Sequence, residues 1–251
     1  METMISKAII QNYMQRLLEA LESDVVIVGA GPSGLIAGYF LAKASLKTVI
    51  LEKRLALGGG IWGGAAGFNL IALEKEAQTI LDELNIGYQT DKDLLIVDAC
   101  EFATGLAYQA CRAGARIFNL VGFEDLVVKE ERVAGVVVNS TTIKMAQLPV
   151  DPFCLKAEYV IDATGHPAEV AQILKQKVKR DLFQGIGEGP MNALVSEREV
   201  VAKTGEIYPG LMVTGMAVCA VYGLPRMGPI FGGMLKSGHK VARLIVEQRR
   251  A

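Results

Sequence analysis

Apolar positions along the chain follow two rhythms. Between residues 4 and 22, Ile5, Ile9, Met14, Leu17, Leu18 and Leu21 recur at helical spacing, which predicts an amphipathic helix. Asp24-Val25-Val26-Ile27-Val28 then forms a continuous apolar run bounded by Gly29, the pattern of a strand buried on both faces. A helix of small residues is expected over about 33–44, and a second apolar run follows at Thr48-Val49-Ile50-Leu51. Strand, helix and strand in such a short span make a βαβ unit, with parallel strands and a right-handed crossover.

After a glycine-rich stretch at 58–67, the spacing predicts helices over about 71–85 and 101–114 and a short strand near 116–120. Two alternating runs, 124–129 and 132–139, are joined by Glu130-Glu131 and read as an antiparallel β-hairpin. Tyr159-Val160-Ile161-Asp162 and Leu211-Met212-Val213-Thr214 read as further strands, and the chain closes with a helix over about 228–248. No internal repeat, low-complexity segment or Pro/Ser linker interrupts this order. The expectation is one α/β domain over residues 1–251 with an antiparallel β insertion.

Composition narrows the function classes. Half of the residues are hydrophobic (51%) and 21% are charged, so the chain can bury a core. Twenty-six Lys and Arg balance 27 Asp and Glu, which argues against a nucleic-acid partner. No apolar run approaches the roughly 18 residues of a membrane span. The opening Met1-Glu2-Thr3-Met4 has no basic stretch leading into an apolar core, so no secretory signal is expected. The four cysteines lack CxxC spacing and point to reduced thiols in the cytoplasm. Cys100, Cys111 and Cys219 fall in apolar settings and read as buried small residues.

Gly29-Ala30-Gly31-Pro32-Ser33-Gly34 fits G-x-G-x-x-G, follows a predicted strand and opens a predicted helix. Glu52 ends the second strand, close to the roughly 20 residues at which an acidic side chain meets an adenosine ribose. Gly29 permits the tight turn, Gly31 admits a pyrophosphate to the backbone, and Gly34 lets helix and strand pack closely. The helix N-terminus then faces the phosphates. An acidic Glu52 favours NAD or FAD over NADP, although Lys53 and Arg54 follow directly and leave the phosphorylated form open.

Val160-Ile161-Asp162-Ala163-Thr164-Gly165 resembles the A-T-G element of two-dinucleotide flavoproteins, as does the hairpin before it, which implies a Rossmann-like α/β dinucleotide-binding fold of that type. In that superfamily a late strand ends in Gly-Asp, whose carboxylate holds the flavin; here Gly215 is followed by Met216, a far weaker acceptor. Gly58-Gly59-Gly60-Ile61-Trp62-Gly63-Gly64, Val150-Asp151-Pro152, Asp162-Ala163-Thr164-Gly165-His166 and the run from Gly215 to Met234 that contains Gly223-Leu224-Pro225-Arg226-Met227-Gly228-Pro229 are similar to the thiamine thiazole synthase family over nearly the whole chain.

That resemblance implies an enzyme of thiamine biosynthesis, a transferase that consumes NAD as a substrate. Nicotinamide leaves, the ADP-ribose isomerises, glycine condenses with it, and sulfur enters to give an adenylated thiazole carboxylate. Ser33, Glu52, Lys53, Gly60, Val127 and Met216 would line the ADP and sugar portion. Asp151 and His166 would bind iron(II), Asp151 reaching in from a neighbouring subunit of a homo-octameric ring, and Arg226 would hold the glycine carboxylate. Two residues before Asp151, eukaryotic members carry a sulfur-donating cysteine and many archaeal and bacterial members a histidine. Pro149 stands there in this chain, which implies free sulfide as the sulfur source; Cys154 is the alternative donor.

Taken without the family, these residues are less decisive. His166 just past a strand end is a ligand, a catalyst or a loop residue. Asp151 before Pro152 serves equally as a turn residue, and Arg226 as a carboxylate fork or a surface cation. One Asp and one His suit an open metal site, not a closed structural one. Trp62 and Phe68 could cover a nucleotide or pack in the core, and His239 reads as a solvated helix residue. Two alternatives stand beside the synthase: a small FAD-dependent oxidoreductase, and a relative acting on a related sugar phosphate.

Overall fold

The computed structural model describes residues 1–178, 182–183 and 185–250. Helix α1 (Glu2–Ala20) leads into β1 (Glu22–Val28), α2 (Pro32–Lys43) and β2 (Thr48–Glu52), the expected βαβ unit. Strands β1 and β2 run parallel, with Val25 opposite Thr48 and Val28 opposite Leu51. Alternation along β1 serves two cores. Val25 and Ile27 pack beneath α2, whereas Val26 and Val28 face the opposite layer, and all four are buried.

The segment expected to be a helix over 71–85 is split. Leu70–Glu74 is a strand, β3, followed by a 3-10 turn and a helix, α3 (Gln78–Leu84). Ile71 and Leu73 are buried while the residues between and beside them are not, a period of two that a short apolar run shares with a helical turn. β3 pairs antiparallel with β5 (Leu94–Asp98), which also pairs with β4 (Gln89–Asp91), making a small second sheet. Helix α4 (Ala99–Ala113) follows, its N-terminus capped by the Asp98 carboxylate, which accepts from the backbone N–H groups of Cys100 and Glu101.

The chain then returns to the main sheet through β6 (Arg116–Asn119), parallel to β2. The hairpin is longer than its alternating runs suggested, with β7 (Val121–Lys129) and β8 (Arg132–Ser140). Glu130 and Glu131 both adopt left-handed backbone angles, the geometry that matches a two-residue turn to the twist of its strands. A short helix, α5 (Thr141–Ala146), precedes β9 (Phe153–Asp162), which pairs with β8 on its antiparallel side and β1 on its parallel side.

The remaining elements are α6 (Glu169–Val178), α7 (Ala193–Lys203), β10 (Gly205–Tyr208), β11 (Leu211–Val213), α8 (Met216–Tyr222) and α9 (Gly232–Arg250). The main sheet has the order β10-β11-β9-β1-β2-β6, with the hairpin attached through β8. The last helix begins at Gly232 instead of about 228, and packs along α2. Among the described residues, no helix is long and apolar enough to cross a membrane. On α1 the apolar side chains of Ile5, Ile9, Met14 and Leu18 remain exposed.

Candidate active site

A cavity of about 720 Å³ opens where β1, β2 and β9 end, the position at which parallel sheets present their ligands. Its first wall is the fingerprint loop. Gly29 takes φ +106°, and a Cβ there would lie 2.4 Å from the Ala163 carbonyl oxygen. A Cβ on Gly34 would lie 2.1 Å from the Gly29 carbonyl oxygen, so Gly34 packs beneath the loop and does not line the cavity. Gly31 is different: nothing lies within 4 Å of where its Cβ would be, and it borders the cavity. Gly31 also caps α2 without a side-chain hydrogen bond, so the first-turn N–H groups are available to an anion.

Ser33, Glu52, Lys53, Gly60 and Met216 all line this cavity. Glu52 is 6% exposed; its Oε2 accepts from the Ala30 N–H at 3.0 Å and its Oε1 from the Arg54 N–H at 2.8 Å. Each oxygen retains a lone pair for a further donor such as a ribose hydroxyl. Val127 is not among the lining residues. β7 contributes Val121 and Phe123 instead, and Val127 lies four residues further along the strand, roughly 13 Å at 3.3 Å per residue. The glycine-rich loop contributes Gly59, Gly60, Gly64, Ala65 and Ala66. Trp62 and Phe68 project elsewhere: Trp62 Nε1 donates to the Leu57 carbonyl, and Phe68 is 72% exposed, so neither packs in the core.

The same cavity is lined by His166 and Arg226. Asp162, fully buried at the end of β9, accepts from the Thr164 N–H at 3.0 Å, the Thr164 hydroxyl at 2.7 Å and the Ala171 N–H at 2.9 Å. Burial outweighs these donors and pushes its carboxyl above the usual aspartate range. This knot fixes the loop that presents His166. The His166 Nδ1 sits 2.7 and 2.9 Å from the two carboxylate oxygens of Glu188, which leaves Nε2 as the nitrogen open to a ligand.

The sequence reading did not single out Glu188, which lies in the glycine- and proline-rich run 185–190. Backbone hydrogen bonds zip this run to the segment bearing Arg226. Gly187 N–H donates to the Ala220 carbonyl, Gly189 N–H to Leu224, and Arg226 N–H to Gly189. The carboxylate behind His166 and the guanidinium of Arg226 are therefore held by one scaffold.

Asp151 is elsewhere. It lies exposed ahead of β9 and lines a second pocket with Pro149, Lys144 and Glu124. Among the described residues, no group of three or more His, Cys, Asp and Glu is placed to hold a metal ion within one chain. Cys154 is exposed on β9 opposite Val137, and Cys100 and Cys111 are exposed on α4; only Cys219 of the three expected to be buried is so. A helix of mostly small residues offers Cys100 and Cys111 on its outer face, which apolar neighbours in sequence do not reveal. His239 is exposed and stacks on Phe40, with ring centres 4.2 Å apart.

Behind the cavity wall formed by Phe231 and Met234, Glu197 of α7 meets Glu74 of β3 at the start of α9. Glu197 is 4% exposed, and burial together with the Glu74 carboxylate pushes it up to about 9. It is protonated near neutrality, and its proton, shared with Glu74, gives a partner to two buried oxygens that otherwise have none.

The architecture is a Rossmann-like α/β dinucleotide-binding fold of the two-dinucleotide flavoprotein type, and Met216 follows Gly215 after the late strand β11. The model of the Thi4 family matches residues 6–231, and the chain belongs to that family. It is 53% identical over 249 residues to a thiamine thiazole synthase of Pyrococcus furiosus, covering 98% of both chains. It is 51% identical over 250 residues to a thiamine thiazole synthase of Thermotoga maritima, covering 99% of this chain and 98% of the relative. The crystal structure of Thermovibrio ammonificans THI4 superposes with a TM-score of 0.97 at 45% identity, covering 100% of this chain and 99% of that one.

Proposed function

We propose that the protein is a thiamine thiazole synthase that consumes NAD, condenses its sugar with glycine, and takes sulfur from free sulfide in the presence of iron(II). The observation that carries this reading is one cavity lined by the dinucleotide fingerprint together with His166 and Arg226, with Met216 and no carboxylate after Gly215 to hold a flavin.

The roles follow from the chemistry of each group. The N-terminus of α2 and the open face of Gly31 receive the pyrophosphate. Glu52 accepts from the ribose hydroxyls. Arg226 offers a planar fork to the glycine carboxylate and so orients the amine toward the sugar. His166 is the residue of this chain that would hold iron in the cavity, through Nε2, with Asp151 supplied by another copy. Iron(II) with a His and a carboxylate ligand supplies open coordination positions for substrate and sulfide. Pro149 has neither a thiol nor a ring nitrogen, which favours sulfide as the sulfur source and many turnovers per chain. A shared metal site calls for at least a dimer, in keeping with an octamer in the cytoplasm.

The test is an anaerobic incubation of the purified protein with NAD, glycine and iron(II), with and without sulfide, followed by mass spectrometry. The expected result is an adenylated thiazole carboxylate that forms only with sulfide and in excess over enzyme. Product without sulfide, limited to one per chain and matched by loss of hydrogen sulfide from Cys154, would move the sulfur to the protein. NAD left intact, with FAD released on denaturation, would overturn the synthase reading.

A further inference from the structure

Lys53 follows the ribose-binding acid at the end of β2, the place from which a cation receives the 2′-phosphate of a phosphorylated dinucleotide. In this chain its ammonium is already engaged: Lys53 Nζ forms an ion pair with Glu169 Oε1, and both residues line the cavity. Glu169 is held in place from below. It is the first residue of α6, and its own N–H donates to the Thr164 hydroxyl at 2.7 Å, which in turn donates to Asp162. The pair is therefore anchored to the same buried knot that positions the loop after β9.

We propose that Glu169 is a specificity residue: by binding Lys53 beside Glu52, it removes the cation that would receive a 2′-phosphate and restricts the cavity to dinucleotides with a free 2′-hydroxyl. The inference rests on the adenine-dinucleotide reading given above. Four charges face this part of the wall, the carboxylates of Glu52 and Glu169 and the cations of Lys53 and Arg54, and they cancel. A 2′-phosphate brings about −1.5 to −2 charges at neutral pH, set against two carboxylates, an already paired lysine and Arg54 alone as a counter-charge. A 2′-hydroxyl brings none and donates to Glu52. Replacing Glu169 by a neutral residue frees the ammonium and leaves the wall with one net positive charge.

The test compares the dissociation constants of NAD and NADP by titration calorimetry, using full-length wild type, Glu169→Gln, Glu169→Ala and the double variant Lys53→Met/Glu169→Gln. Wild type is expected to prefer NAD by roughly 100-fold or more. The ratio of the two constants should fall about two- to fivefold in both single variants, through tighter NADP binding, the size expected for one partly exposed charge. The double variant should return toward the wild-type ratio, because the freed lysine is gone. An unchanged ratio in Glu169→Gln and Glu169→Ala, with NAD still bound, would overturn the role of Glu169 and leave the dinucleotide reading standing. A gain that persists in the double variant would overturn the role given to Lys53. Wild type that binds neither nucleotide would overturn the dinucleotide reading itself.

Discussion

On the proposed function the cavity has an adenosine end and a reacting end, and the two are built in different ways. The adenosine end comes from one continuous stretch, residues 28–54, in which the backbone that would meet the ligand is the backbone that closes the βαβ unit. Gly29 and Gly34 are set by close packing, with carbonyl oxygens where Cβ atoms would go, whereas Gly31 faces open space. The reacting end draws His166, Glu188 and Arg226 from separate segments and joins them by hydrogen bonds between loops. At the first end, folding and binding are one requirement. At the second, side chains project from a scaffold that stands without them, so chemistry can be removed there while the fold is kept.

The largest effect should come from breaking this contrast within the fingerprint itself. Gly34→Ala drives a methyl to 2.1 Å from the Gly29 carbonyl oxygen, and backbone is poorly able to yield. The expected cost is about 3 kcal/mol or more, read as a lowered denaturation midpoint or as insoluble protein. Gly31→Ala adds the same methyl where nothing lies within 4 Å. Its stability should stay within about 0.5 kcal/mol of wild type, while NAD affinity falls about tenfold or more as the methyl enters the space meant for a pyrophosphate. A Gly31→Ala protein that binds NAD normally would show that the pyrophosphate lies elsewhere.

At the other end, Glu188→Ala sharpens the comparison. Without the carboxylate, the His166 ring loses the partner that fixes Nδ1 and presents Nε2. Metal affinity should drop roughly 10- to 100-fold, the usual consequence of removing such a partner, measured with manganese(II) or iron(II) under anaerobic conditions. Glu188→Asp should recover part of the loss. Thermal stability and NAD affinity should move much less than metal affinity. If all three collapse together, the reacting end is as integral to the fold as the fingerprint is.

The same contrast explains what could be read from the sequence. The first βαβ unit and its glycines were legible because each feature depends on neighbours within about thirty residues. The hairpin was legible for the same reason, down to the Glu130-Glu131 turn. The small sheet was not: a five-residue apolar run fits a helical turn as well as a strand, and only its pairing with β5 identifies β3 as a strand. Glu188 carried no signal, since its role exists only once two loops are zipped together. Asp151 and His166 both belong to quotable patterns, yet a single chain keeps them in different pockets. Side-chain patterns report what a residue is suited for, and only the fold reports which residues meet.

A pH-dependent effect concerns Glu197 and Glu74, whose contact ties α7 and the small sheet to the start of α9 behind the reacting end. Lys236 of α9 also faces Glu74, at 3.5 Å, and partly offsets the pair's negative charge. Glu197 is raised from about 4.5 in the open chain to about 9 in the fold, so folding favours its protonated form. Its stabilising contribution is complete below the open-chain value and is lost as pH rises through about 9. Wild type should therefore lose stability between pH 6 and 9 relative to Glu197→Gln, by at most about 1.4 kcal/mol per pH unit. The measurement is the difference in melting temperature between the two proteins across that range, which cancels every group they share. A difference that stays flat would mean that Glu197 ionises without cost, with its pair already open to water. A difference confined to stability, with NAD affinity level across the range, would place the proton in the scaffold of the reacting end and leave the adenosine end independent of it.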